Sequence, residues 1–167
     1  MRPHIFDHEP TPQEIFDQAC VFFATSPGPS SKESEISSTN TCMYRDGSGR
    51  MCVAGYFMTN ESYLPEMDED NEGDGSDVKT IVKHYPDRVP AWFANNVDLL
   101  RGLQGLHDSE NNWLPGLKWD YPELVGDLLL FAEIRDLKPD AIEQVRAHIP
   151  KPQWTEQDDE LLAELQA

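Results

Sequence analysis

Cys42, Cys52 and His107 are the side chains of this chain whose types could carry out nucleophilic chemistry. A cysteine enzyme needs a thiolate that a nearby histidine activates, a third group that orients this histidine, and N–H groups that hold an oxyanion. Asp108, directly after His107, is the available third group. The sequence therefore offers Cys52 and His107 as the candidate catalytic pair of a small cysteine-dependent enzyme.

A structural interpretation of the same residues is favoured over the catalytic one. Neighbours on a helix point about 100° apart, so Asp108 orients His107 poorly unless the helix ends there. No Gly-rich elbow precedes either cysteine, and free cysteines are usually buried as small apolar side chains. Cys42, Cys52 and His107 also lack the paired spacing of zinc sites. We therefore expect no catalysis, no metal and no cofactor.

An acidic run that begins at Asp68 partly matches the pattern of a calcium-binding loop. Asp68, Asp70 and Glu72 stand at positions 1, 3 and 5 of such a loop, and Gly73 stands at its sharp turn. Lys79 occupies position 12, where the motif requires a bidentate glutamate. A solvated acidic loop is therefore the favoured interpretation, and Asp68, Asp70 and Glu72 are weak calcium candidates.

The charge balance gives the main indication of function. The chain has 31 acidic and 13 basic side chains among its 167 residues, and its formal net charge is −18. A field of this sign repels nucleic acids and membrane surfaces and attracts cationic partners. Helical carboxylates at positions i and i+4 stand about 6 Å apart, which is comparable to the phosphate spacing along a nucleic-acid strand. We therefore expect a basic, nucleic-acid-binding protein as the partner, and no direct binding to nucleic acid or membrane.

Two acidic segments supply the carboxylates that are expected to bind this partner. The first is the stretch 66–77, and the second is the acidic side of a C-terminal helix. The candidate residues are Glu66, Asp68, Glu69, Asp70, Glu72, Asp74, Asp77, Asp158, Asp159 and Glu160. The other side of the helix carries Leu161, Leu162 and Leu165, which could dock on the same domain, on a second copy or on another protein. A structural homo-oligomer is therefore an alternative function.

The pattern of residues predicts an α+β protein that is mostly α. Strand-forming residues on both sides of the Gly-rich segment 46–49 predict one small β-hairpin at about residues 41–57. A loop of two or four residues is favoured over one of three, and it makes Val53 the partner of Cys42. Five or six helices are predicted around this hairpin, at about 11–24, 77–85, 90–107, 120–137, 139–149 and 155–167.

The domain organisation follows from composition along the chain. Residues 1–150 are predicted to form a single acidic α+β domain with mobile loops at 26–40 and 66–77, and 151–167 is predicted to form a separable acidic helix. Three cysteines without CxxC spacing fit a reducing compartment, so a cytoplasmic location is expected. No run of about 18 apolar residues predicts a transmembrane helix, and the N-terminus lacks the apolar core of a signal peptide.

The string C-x-Y-R-x-G-x-G-x-x-C-x-A-G, from Cys42 to Gly55, resembles the hairpin motif of a family of small proteins encoded by bacteriophages and prophages. Tyr63, the Leu-Gln-x-x-His-Asp segment 103–108 and Trp113 extend the resemblance. Two departures from the family pattern are Val53-Ala54-Gly55, where Ala-x-Gly usually follows the second cysteine directly, and Met67-Asp68, where Met-Glu is usual. The resemblance implies a phage-type accessory protein, for host takeover or counter-defence, in a bacterial cytoplasm, and it supplies no catalytic residues.

The same resemblance marks a set of residues as a structural motif. They are Cys42, Tyr44, Arg45, Gly47, Gly49, Gly55 and Asp108. An arginine that leaves a Gly-rich turn can bridge to carboxylates or cap the C-terminus of a helix. We therefore expect Arg45 to stabilise the fold rather than to bind a ligand.

Overall fold

The protein is a mostly α, α+β structure, as the sequence predicts. It is described from a computed structural model that covers residues 5–33, 40–69, 78–150 and 156–166. The helices are α1 Pro12–Thr25, α2 Val53–Phe57, α3 Glu66–Glu69, α4 Val78–His84, α5 Ala91–Asn95, α6 Val97–Asp108, α7 Tyr121–Ile134, α8 Glu143–Arg146 and α9 Glu156–Gln166. The strands are β1 Ser31–Glu33, β2 Asn40–Cys42, β3 Trp113–Leu114 and β4 Lys118–Trp119. These described parts hold more helices than the five or six predicted, because several are single turns.

Helix α1 shows how local sequence sets an element of this fold. The Thr11 hydroxyl accepts a hydrogen bond from the Glu14 N–H at 3.2 Å, and the Glu14 carboxylate accepts one from the Thr11 N–H at 2.8 Å. This capping box satisfies two of the N–H groups that a helix start leaves open. Phe16, Cys20 and Phe23 recur at helical spacing and are fully buried. The predicted start and buried face of this helix are confirmed.

The β-hairpin forms earlier in the chain than predicted. Strands β1 and β2 pair antiparallel, with Ser31 opposite Cys42 and Glu33 opposite Asn40. Part of the predicted mobile loop 26–40 is therefore strand. The residues before β1 also pack closely, since a Cβ on Gly28 would collide with the backbone oxygen of Leu117. The described residues 26–33 therefore combine a closely packed segment with a short strand, whereas the sequence predicts a loop there.

The predicted second strand after the Gly-rich turn is wrong, because residues 53–57 form helix α2. In the described chain, a single isolated bridge joins the two sides of this turn, and it pairs Arg45 with Met51 in a register different from the predicted one. The loop between them has five residues, so the favoured even loop is also wrong. One carboxylate oxygen of Asp46 accepts hydrogen bonds from the N–H groups of Ser48 at 2.9 Å and Arg50 at 3.0 Å, which closes this longer turn.

The predicted long helix at 90–107 is divided into α5 and α6 at Asn96. The Asn96 side-chain amide donates a hydrogen bond to the Trp92 carbonyl at 2.8 Å, and the Asn96 backbone N–H donates to the same oxygen at 3.1 Å. A side chain that competes for backbone acceptors favours an interruption of the helix. Both halves still bury apolar side chains, among them Phe93 and Leu100.

The core lies among α1, α2, α5, α6, α7 and the short α8. Its fully buried members include Phe16, Phe93, Leu103, Leu124 and Leu128. The small β3–β4 hairpin, which the sequence analysis did not predict, closes one side through Trp119, whose ring contacts that of Phe23 with centroids 5.4 Å apart. In the described ranges, no helix is long and apolar enough to cross a membrane.

Candidate functional site

Cys52 is held inside the fold as the N-cap of α2. Its Sγ accepts a hydrogen bond from the Gly55 N–H at 3.3 Å, and the residue is fully buried. Burial raises the pKa of this thiol, and the nearby Asp108 carboxylate adds to the rise. A buried thiol that stays protonated is a poor nucleophile, since the thiolate is the reactive form.

His107 is fully buried, and both of its ring nitrogens have protein partners. Nε2 accepts the backbone N–H of Ser30 at 3.1 Å, which leaves the proton on Nδ1, and Nδ1 donates to the Asp108 carboxylate at 2.7 Å. Asp108 is the last residue of α6, so the condition under which it can orient His107 is met. His107 has no free nitrogen to take a proton from Cys52. The two residues therefore do not form the predicted nucleophile and base.

A chain of hydrogen bonds extends from this histidine to α2. The Gln104 side-chain amide donates to the Asp108 carboxylate at 2.7 Å, and the Gln104 side-chain oxygen accepts the Ala54 N–H at 3.1 Å. The chain therefore joins Ser30, the end of α6 and the first turn of α2. Sequence reasoning gave no role to Ser30 or Gln104, because these contacts join positions that are 77 and 50 residues apart.

The sequence predicts that Arg45 bridges to carboxylates or caps the C-terminus of a helix. The structure shows the second role, because Arg45 caps the C-terminus of α2. Its guanidinium donates to the backbone oxygens of Met58 at 2.8 Å and Thr59 at 3.3 Å, and it lies over the Tyr63 ring at 4.7 Å. Gly55 lies so close to the backbone of Tyr44, two residues after β2, that a Cβ would collide with the Tyr44 backbone oxygen.

The Asp68 carboxylate closes the same unit from the other side. It accepts hydrogen bonds from the Tyr44 N–H at 2.6 Å, the Arg45 N–H at 3.3 Å and the Tyr63 hydroxyl at 2.7 Å. Burial raises its pKa, although these hydrogen bonds act in the opposite direction. Both carboxylate oxygens accept hydrogen bonds from within the protein, and Asp68 lies in helix α3, whereas the sequence predicts a solvated acidic loop at this position.

The remaining predicted residues divide between the turn and regions that the structure leaves undescribed. Gly47 and Gly49 lie in the turn, and Gly49 has a φ of +90°, where a side chain would be strained. Cys42 is the last residue of β2. The side chains of Cys42 and Glu69 lie outside the described part. Glu66 is exposed. The partner candidates Asp70, Glu72, Asp74 and Asp77 lie outside the described residues.

Helix α9 carries exposed carboxylates on one side and packs its other side on the domain. Leu162 is 7% exposed and belongs to the core, which docks the leucine side of the helix on this domain. Arg146 of α8 pairs with Asp159. Glu160 and Glu164 are exposed at i and i+4, and the side chain of Asp158 lies outside the described part. Of the three docking alternatives for the leucines of this helix, Leu162 therefore shows docking on the same domain.

Within the described ranges, no group of three or more His, Cys, Asp or Glu side chains could hold a metal ion. Comparisons with protein-family models, curated proteins and solved structures gave no match to the chain.

Proposed function

We propose that the protein is a phage-type accessory protein that binds and blocks a basic, nucleic-acid-binding bacterial protein, with host takeover or counter-defence as the outcome. The observation that carries this proposal is the exposed carboxylate pair Glu160 and Glu164 on a helix whose opposite side is anchored by Leu162. An anchored helix fixes the backbone from which its carboxylates extend, so a partner does not have to order the helix on binding.

Charge and thiol chemistry support the same conclusion. A net charge of −18 attracts cationic surfaces over distances of about one Debye length, near 8 Å at physiological salt. The alternative function, a cysteine-dependent enzyme, loses its support because Cys52 is a buried helix cap and both nitrogens of His107 are occupied. Carboxylates about 6 Å apart can occupy the basic groove that a nucleic acid would otherwise fill.

The proposal is tested by affinity capture from a bacterial lysate with the full chain as bait. The decisive variant is Glu160→Gln/Glu164→Gln, and its matched control is Glu61→Gln/Glu110→Gln, which removes two exposed carboxylates elsewhere. We expect a basic protein to bind the wild type and the control at low salt, to be released at high salt, and to bind the α9 variant at least about tenfold more weakly.

A further step separates blocking from mere association. The captured protein is offered its nucleic acid with and without the acidic protein, and competition is measured by fluorescence anisotropy. We expect displacement by the wild type that weakens steeply with salt. Equal capture by both charge variants, or a captured protein that binds nucleic acid undisturbed, would contradict the proposal.

A further inference from the structure

A cavity separate from α9 opens between the end of α1 and the turn 46–50. Its volume is about 330 Å³. Phe22, Pro27, Met51 and Tyr56 supply apolar walls, and the rings of Phe22 and Tyr56 lie with centroids 5.1 Å apart. This volume falls within the roughly 300–1,000 Å³ of small-molecule pockets, and the apolar lining fits one planar ring.

The hydroxyl groups at the edge of the cavity already donate to the protein. Thr25 donates to the Val21 carbonyl at 2.7 Å, and Ser26 donates to the Gly28 carbonyl at 3.0 Å. These hydroxyls can accept a further hydrogen bond but have no proton left to offer. A ligand that enters here must find its hydrogen-bond donor elsewhere.

Arg50 supplies that donor. Its guanidinium has no hydrogen-bond or ion-pair partner among the residues that the structure describes, although acidic side chains outnumber basic ones 31 to 13 in the chain. The backbone N–H of Arg50 is fixed by the Asp46 carboxylate at 3.0 Å, so the side chain starts from a defined position at the cavity. An uncommitted guanidinium beside an apolar cavity suits a carboxylate, which it can bind with two parallel hydrogen bonds.

We propose that this cavity binds a small aromatic carboxylate. The ring lies between Met51 and Pro27 over Phe22 and Tyr56, and the carboxylate pairs with Arg50. This site is distinct from the carboxylates of α9, because it would bind an anion, whereas the overall negative charge of the protein repels anions. Binding therefore depends on the local pair with Arg50.

The test uses benzoate as the probe, with benzyl alcohol and benzylamine as neutral and cationic analogues. Binding to the full chain is followed by backbone amide NMR shifts of Thr25, Ser26, Gly49 and Met51. We expect benzoate to saturate these shifts with a Kd of about 1 mM, and both analogues to bind at least about tenfold more weakly. Absence of shifts at these residues, or equal binding of the three probes, overturns the proposal.

Variants separate the pair with Arg50 from general attraction of an anion. Arg50→Gln should weaken benzoate binding about tenfold or more and leave the weak binding of benzyl alcohol unchanged. Lys83→Gln, which removes an exposed cation elsewhere, should leave benzoate binding unchanged. Spectra of Arg50→Gln that match the wild type away from the turn show that its fold is intact. Unchanged benzoate affinity in Arg50→Gln, or an equal loss in Lys83→Gln, overturns the assignment.

Discussion

Two regions of this molecule use polar side chains in opposite ways. Around the 44–68 segment, the charged groups of Arg45 and Asp68 turn inward and bind backbone atoms. On α9, Leu162 and Leu165 pack against the core, while the carboxylates of Glu160 and Glu164 face solvent. The comparison teaches that residues of reactive type can serve the fold, and that function is better sought where charge is left uncompensated at the surface.

The largest expected effect comes from replacing Gly55, which packs directly against the backbone of Tyr44. Gly55→Ala should destabilise the protein by about 3 kcal/mol or more, because the new Cβ collides with the fixed backbone oxygen of Tyr44. Urea unfolding measures the change. Gly126→Ala in α7 is the matched control, since open space surrounds Gly126, and it should stabilise by roughly 0.5–1 kcal/mol. Similar effects of the two substitutions would contradict the close packing assigned to Gly55.

Removal of the internal arginine should have the next largest effect. Arg45→Gln should lower the free energy of unfolding by about 2–3 kcal/mol, because the carbonyls of Met58 and Thr59 lose a charged donor. Arg45→Lys should recover only part of this, since an ammonium cannot reproduce the planar array of donors. Full recovery in the lysine variant would show that charge alone, without the geometry, is what Arg45 supplies.

Replacement of Leu162, which anchors α9, should lower the stability of the whole fold less than the preceding changes and should mainly loosen α9. Leu162→Ala removes a core side chain and should cost about 2 kcal/mol. Hydrogen exchange should show the loss of protection concentrated in 156–166. Leu114, which is 44% exposed, provides the control substitution Leu114→Ala, for which little change is expected. Protection of α9 that survives in Leu162→Ala would mean that another contact holds this helix.

The smallest expected effect is a pH dependence from Asp68. Burial raises its pKa in the folded state above the ordinary value of about 3.9, so the folded protein retains this proton where the unfolded chain has lost it. Its contribution to stability is therefore full below about pH 4 and is lost as pH rises through the raised pKa.

This dependence is measured as a difference between wild type and Asp68→Asn in urea unfolding at pH 3.5–7. The stability of the wild type relative to Asp68→Asn should fall as pH rises, while Glu61→Gln should track the wild type. A difference that stays constant, or grows, with pH would show that the pKa of Asp68 is not raised by burial.

Sequence alone predicted the elements whose signals are local. The capping box at Thr11, the Asp120 cap of α7 and the structural role of Arg45 all depend on residues near one another in the chain or on one well-defined chemical group. The contacts that join His107 and Asp68 to other segments depend on partners far away in sequence, which no local pattern encodes.

The failures have equally specific causes. Short apolar runs such as 51–56 fit a strand and a buried helix equally well, and the cap that decides for helix is a cysteine, which is not a usual N-cap. The contact between His107 and Ser30 spans 77 positions, so no local pattern encodes it. The β3–β4 hairpin carries a local signal, the Pro115-Gly116 turn between its two strands, but each strand has only two residues and shows no alternation of its own.

The account is tested most directly by an amide NMR titration of the full chain with a lysine decapeptide at low salt. One experiment compares the two regions, because each described residue other than proline has a backbone N–H whose chemical shift reports on nearby binding. We predict shifts in exposed acidic segments, including Glu160 and Glu164 on α9, that disappear at high salt, and none at Cys52, Gly55 or His107. The largest shifts at Cys52 and His107, with α9 unaffected, would contradict the claim that surface carboxylates are the working groups.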